Sequence, residues 1–145
     1  MKFGKNNMRR IMIFGTFDLF HQGHQNFLKQ TRAYGDYLIV VIARDQTVLE
    51  IKKRKSLNNE NKRLKNVLKS GLADKVILGS LDNKYQAIQE FRPDIICLGY
   101  DQKNFIDKLE AELEKIGLNK TKIIRLKAFK PEIFKASKLR LKLKI

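Results

Sequence analysis

The chain has 145 residues, 43% of them hydrophobic, the size and apolar content of one ordinary domain with a real core. Lys and Arg total 31 against 15 Asp and Glu, a net charge of +16 that favours anionic partners, whether nucleic acid or phosphate-bearing small molecules. One cysteine, Cys97, excludes an internal disulfide, and no apolar run approaches the ~20 residues that span a bilayer, so a reducing, cytoplasmic setting is expected.

In chain order, the first fifteen residues are basic, with too short an apolar stretch for a signal peptide. IMIFG (11–15) reads as a strand, and GHQNFLKQTRAYG (23–35) as a helix with Phe27 and Leu28 inward and Gly35 as its stop. YLIVVIA (37–43) is the continuous apolar run of a strand covered on both faces. A dense basic cluster, KKRK (52–55), follows. NNENKRLKNVLKSG (58–71) is a second helix, capped by Asn58 or Asn59, striped by Leu64, Val67 and Leu68, and ended by Gly71. KVILG (75–79), DIICLG (94–99) and KIIRL (122–126) are strands, with Cys97 buried in the second of them. NKYQAIQEF (83–91) and NFIDKLEAELEKIG (104–117) are helices, the latter facing inward with Phe105, Leu109, Leu113 and Ile116. The tail 136–145 alternates Leu139, Leu141, Leu143 and Ile145 at period two, yet its length equally allows a short helix.

Strand and helix alternating at this spacing predict an α/β fold: a single domain over 1–145, Rossmann-like, with a doubly wound parallel sheet of about five strands. Ligands of such sheets bind beyond the carboxyl ends of the strands, where the strand order reverses. GTFDLFHQGH (15–24) follows the first strand and GYDQK (99–103) the fourth, so both belong to one candidate site.

The first stretch holds both histidines of the chain. At a helix start, two imidazoles join the helix dipole and the unbonded backbone N–H groups of the first turn to form an anion site. Gly23 admits close backbone approach, and Gly15 and Thr16 do the same at the strand exit with a hydroxyl to hand. G-x-G-x-x-G and G-K-[ST] are both absent, so neither common phosphate loop accounts for it. A metal site at His21 and His24 would need more ligands, which only Asp18, Asp45 or Asp101 could supply, and a purely structural histidine pair is the plainer alternative. The charge itself equally suits solvated helix faces, and no nucleic-acid-binding motif accompanies it.

H-x-G-H after a strand, preceded by G-T-F-D, resembles the signature of the cytidylyltransferase-like nucleotidyltransferases, and GDYLIVVIARD (35–45) and LGYDQ (98–102) resemble later stretches of that family. The resemblance implies nucleotidyl transfer: the phosphate of an acceptor attacks the α-phosphate of a nucleoside triphosphate, and pyrophosphate leaves. It implies catalytic roles for His21, His24 and Lys52, with Lys52 or a neighbour reaching the phosphates from a mobile loop. It places the nucleotide against Gly15, Thr16, Phe17, His21, Gln22, Gly23, His24, Asp101 and Ser137, with Mg²⁺ held by the phosphates and no protein side chain as metal ligand. The R-T-x-G-x-S-T-T tail of glycerol 3-phosphate cytidylyltransferases is replaced here by PEIFKASKLR (131–140), and VIARD and LGYDQ look more like the archaeal-type FAD synthases. ATP is therefore expected over CTP and FMN as acceptor, against Asp18, Phe129 and Lys130, with neither nucleic acid nor a membrane span required. Relatives of this kind imply a homodimer.

Overall fold

The computed structural model describes residues 8–100, 102 and 108–127. Five strands, β1 (Arg10–Gly15), β2 (Tyr37–Ile42), β3 (Lys75–Leu78), β4 (Ile95–Leu98) and β5 (Lys122–Arg125), form one sheet in the order β3-β2-β1-β4-β5, every neighbouring pair parallel. Five helices connect them: α1 (Gln22–Thr31), α2 (Asp45–Lys52), α3 (Glu60–Lys69), α4 (Gln86–Phe91) and α5 (Leu109–Lys115). The expected doubly wound α/β sheet is what forms.

Successive residues of a strand point to opposite faces. Ile11, Ile13, Leu38, Val40 and Ile42 accordingly meet Leu28 of α1 and Val67 of α3 on one side. Met12, Phe14, Ile39, Val41, Ile96 and Leu98 meet Ile88 of α4 and Leu109 and Leu113 of α5 on the other. Both faces are buried, which is why the strands read as unbroken apolar runs. Cys97 is fully buried, and desolvation pushes its thiol up to about 12. It is a packing residue.

Several expectations need correction. α1 ends at Thr31, and Gly35 is no helix stop. A Cβ on Gly35 would lie 2.7 Å from both the Arg9 carbonyl oxygen and Ile11 Cγ1, so this glycine is required by close approach to β1. Gly71, at φ 73°, does end α3, and Asn59 is its cap, accepting from Lys62 N–H at 2.8 Å. The buried face of α3 carries Arg63 and Val67, while Leu68 is 53% exposed. α2 was not among the expected helices, and Lys52, implied to lie on a loop, closes this helix, followed by Lys53 in a left-handed conformation. The tail 136–145 and Phe105 lie outside the described residues.

The strand order reverses between β1 and β4. These two pair at Ile11–Ile95 and Met12–Ile96, before the carboxyl ends of either strand. Beyond that point the Gln102 side chain spans the gap, its Nε2 donating to Phe14 O at 2.8 Å and its Oε1 accepting from Gly99 N–H at 3.1 Å. Arg125 holds the same loop from β5, with Nη1 donating to Gly99 O at 2.7 Å and Gln102 O at 2.9 Å. The ends of β1, β4 and β5 at the switch point are thereby tied to one another.

Candidate active site

The turn from β1 into α1 is backbone under strain. Phe17, Leu19 and Phe20 all have positive φ, at 54°, 65° and 25°. Non-glycine residues rarely adopt such values, and each costs roughly 1–3 kcal/mol unless its surroundings enforce it. Here they do. Gly15 has no Cβ, and one placed there would lie 2.7 Å from the Phe17 ring, so the glycine lets that ring fold back over the strand end. Phe17 is 3% exposed, stacks on Phe27 at 6.2 Å and meets His24 edge-on at 5.3 Å. Phe20 stacks on the other side of His24 at 6.1 Å.

Two charged side chains hold the turn from behind. Asp18 is buried and accepts the backbone N–H groups of Leu57 at 2.7 Å and Asn58 at 3.0 Å. Arg63 has no solvent exposure. Its guanidinium donates to Thr16 O at 2.9 Å, Asn58 O at 3.0 Å and the Asp45 carboxylate at 2.7 Å. The Arg63 hydrogen bond and charge draw the Asp45 carboxyl below its ordinary range, although burial opposes this. Arg63 thus joins the turn, the start of α2 and the lead into α3. The spacing held a signal for it: Arg63 stands four residues before Val67, on the inward stripe of α3, where an arginine must bring its own partners.

The two histidines cap α1 reciprocally. His21 Nδ1 accepts from Gly23 N–H at 3.1 Å and His24 N–H at 3.4 Å, and His24 Nδ1 accepts from His21 N–H at 3.3 Å. This is the logic of a capping box with imidazoles in place of a hydroxyl and a carboxylate. The rings stack with centroids 3.7 Å apart. From sequence the first-turn amides are expected as anion donors in their own right; those of Gly23 and His24 are instead taken by His21. A nitrogen that accepts carries no proton, so the proton of each neutral ring sits on Nε2. Burial lowers His21 to about 4. Burial, then the positive fields of His21 and Lys52, lower His24 to about 3. At neutral pH the pair therefore presents two uncharged, geometrically fixed Nε2–H donors.

The turn brings Gly15, Thr16, Phe17, His21, Gly23 and His24 together, with Gln22 exposed in the first turn of α1. Lys52 closes α2 near enough for its charge to act on His24. Asp18, read from sequence as an acceptor contact, is turned inward to the backbone at 57 and 58, where its carboxylate shapes the turn. Asp101, Phe129, Lys130 and Ser137 lie outside the described residues. Arg63, Gln102 and Arg125 were not singled out from sequence.

A strained strand-to-helix turn with paired donors thus stands at the reversal of a parallel sheet. The same arrangement has relatives. Residues 12–142 match the cytidylyltransferase-like family. A FAD synthase of Methanosarcina barkeri is 48% identical over 111 residues, covering 77% of this chain and 78% of that one. A FAD synthase of Aciduliprofundum boonei is 44% identical over 122 residues, 84% of this chain and 80% of the relative. The crystal structure of the lipopolysaccharide core biosynthesis protein from Thermoplasma volcanium superposes with a TM-score of 0.78 at 36% identity, covering 85% of this chain and 99% of that one. With the H-x-G-H turn, the strand order and the sequence in agreement, the chain belongs to the cytidylyltransferase-like family.

Proposed function

We propose that this chain is an FMN adenylyltransferase, joining the adenylyl group of ATP to FMN with release of pyrophosphate. The likeness to FAD synthases at 44–48% identity supports the substrates. The observation that carries the chemistry is the reciprocal histidine cap, which fixes both rings as neutral Nε2–H donors.

In the reaction an oxygen of the FMN phosphate attacks the α-phosphorus of ATP. A new P–O bond forms, the bond to the β-phosphate oxygen breaks, and its electron pair leaves with pyrophosphate. No covalent enzyme intermediate is needed, so catalysis rests on alignment and on donors aimed at developing charge. His21 and His24 supply such donors from fixed positions. Lys52 brings a full charge from the end of α2. Gly15, Thr16, Phe17, Gln22 and Gly23 form the wall along which the nucleotide lies, with Asp101 and Ser137 as further nucleotide contacts and Phe129 and Lys130 as acceptor contacts. Asp18 works indirectly, by holding the turn.

Among the described residues no three His, Cys, Asp or Glu side chains converge on a common point. The carboxylates around the turn, Asp18, Asp45 and Glu60, already serve backbone N–H groups or arginines. A hard divalent cation such as Mg²⁺ would therefore be held through the triphosphate, and it would neutralise part of the phosphate charge there.

The single domain over 1–145, the homodimer and the cytoplasmic setting belong to the same proposal. No described helix is long and apolar enough to cross a membrane. The support for the dimer is the half-exposed apolar side chains Leu49 and Ile51 on α2 and Leu57 beside it.

The test is chromatographic. Protein incubated with ATP, Mg²⁺ and FMN is expected to yield FAD and pyrophosphate. ATP should also raise the thermal midpoint more than CTP does, because a ligand that binds only the native state stabilises it. CDP-glycerol from CTP and glycerol 3-phosphate, with no FAD from the first mixture, would overturn the flavin assignment.

A further inference from the structure

α2 is held at its first residue. A helix of eight residues is marginal by itself, and Val48 is its one buried side chain, so little apolar packing fixes where it points. Arg44 precedes it in the cap position and offers no side-chain acceptor to the first-turn amides. The acceptor comes from α3: Glu60 Oε1 accepts from Asp45 N–H at 2.8 Å. Glu60 Oε2 accepts from Arg44 Nη1 at 3.1 Å, and Arg44 Nε donates to Gly79 O at 2.7 Å, past the end of β3. One carboxylate therefore caps α2 and ties the backbone entering it to the sheet. Its negative charge also faces the positive end of the helix dipole.

Arg63 stands three residues further along, on the same face of α3. It donates to the Asp45 carboxylate at 2.7 Å and to Thr16 O at 2.9 Å. Asp45 is thus gripped at its N–H by Glu60 and at its carboxylate by Arg63. The two grips differ in reach. Arg63 holds both α2 and the histidine turn, whereas the bonds of Glu60 run to Arg44 and Asp45, on the α2 side. Lys52 closes the helix. It lies about 10 Å beyond Asp45 at ~1.5 Å per residue, so a tilt of ~10° at the start moves it by about 2 Å. Misplacements of that size slow chemistry that depends on alignment.

We infer that Glu60 is a positioning residue for Lys52: by holding the start of α2 against α3, it sets where the last residue of that helix stands relative to the histidine turn. This rests on Lys52 acting in the proposed adenylyl transfer. A double-mutant cycle tests it. Glu60→Ala leaves Asn59 as the cap of α3 and places a good helix former in its first turn. It is expected to lower kcat for FAD formation about three- to tenfold with Lys52 present, and by less than about twofold in the Lys52→Ala background. Glu60→Gln, which keeps one of the two acceptor contacts, should fall between the wild type and Glu60→Ala. The backbone amides of 48–53 should exchange with solvent faster in Glu60→Ala, while those of 63–69 keep their rates. Equal losses of kcat in the two backgrounds overturn the inference, because Glu60 would then act without Lys52. So does an unchanged kcat in Glu60→Ala alone. Should the wild type form no FAD, the flavin assignment fails and the catalytic role of Glu60 with it. Amide exchange then reads the anchoring of α2 alone, and equal rates at 48–53 would overturn that as well.

Discussion

Two regions of the molecule offer positive or donating groups beside the proposed triphosphate site, and they are built in opposite ways. The turn from Gly15 to His24 is enclosed, strained and neutral: its donors are uncharged imidazoles, each oriented by a backbone N–H of the other's segment. The run from Lys52 to Lys55 is four cations in sequence, all exposed. Burial makes the imidazoles poor bases and good fixed donors. Exposure opens the cations of the run to water and salt, which weaken each of them. The first region holds atoms in place; the second raises the local concentration of anions. A transition state, whose charge is displaced by fractions of an ångström, is served mainly by the first.

The sharpest way to break this comparison is to remove the fixed donors while sparing the cap. Asn at position 21 retains an oxygen that accepts the first-turn amides but lacks Nε2–H. His21→Asn and His24→Asn are expected to lower kcat roughly 10²–10³-fold with the fold intact by circular dichroism. Turnover near that of the wild type in either variant would mean that the histidines serve only as caps.

The basic run should divide. Lys52→Ala is expected to lower kcat about tenfold, because its charge stands close enough to act on His24. Arg54→Ala should stay within about twofold at 0.15 M salt, and the difference should vanish at higher ionic strength, as for other exposed charges. Equal losses at the two positions would make the run a single electrostatic surface.

The smallest effect is on stability against pH. His21 and His24 titrate at about 4 and about 3 in the folded protein, against 6.5 unperturbed. Between those values the unfolded chain binds more protons than the native one, so stability rises with pH across the window. It is complete above about 6.5 and is lost as pH falls towards 4. Thermal midpoints measured from pH 7.5 down to 4.5 should decline, and His24→Asn should decline less steeply. A slope that the substitution leaves unchanged would mean that other groups carry the acid sensitivity.

Much of this architecture was readable before the structure. Strands covered on both faces announce themselves as apolar runs, as in Leu38–Ile42, and the histidine turn is marked by its rare residues. α2 was not readable: of its eight residues, DQTVLEIK, only Val48 is buried, so no inward stripe separates it from a loop. Gly35 looked like a helix end because glycine commonly is one, whereas its cause lies in a strand some twenty-five residues earlier in the chain. Arg63 was concealed for a similar reason. Its place four residues before Val67 puts it on the inward stripe, but its charge argues for solvent until the contacts with Thr16, Asp45 and Asn58 are known. Asp18 reads as a polar group facing a ligand until its partners at 57 and 58 are known. What sequence periodicity misses here are side chains whose partners lie far along the chain.

The three left-handed residues of the turn have a consequence for what the site depends on. Nothing local favours Phe17, Leu19 and Phe20 in those conformations, and a peptide of this sequence in isolation would relax out of them. They are held by groups that arrive from elsewhere: Arg63 on α3, the amides at 57 and 58, and Phe27 on α1. The shape of the site therefore depends on α3 and on the segment at 57 and 58 as much as on its own residues, and whatever loosens α3 is expected to loosen the turn with it.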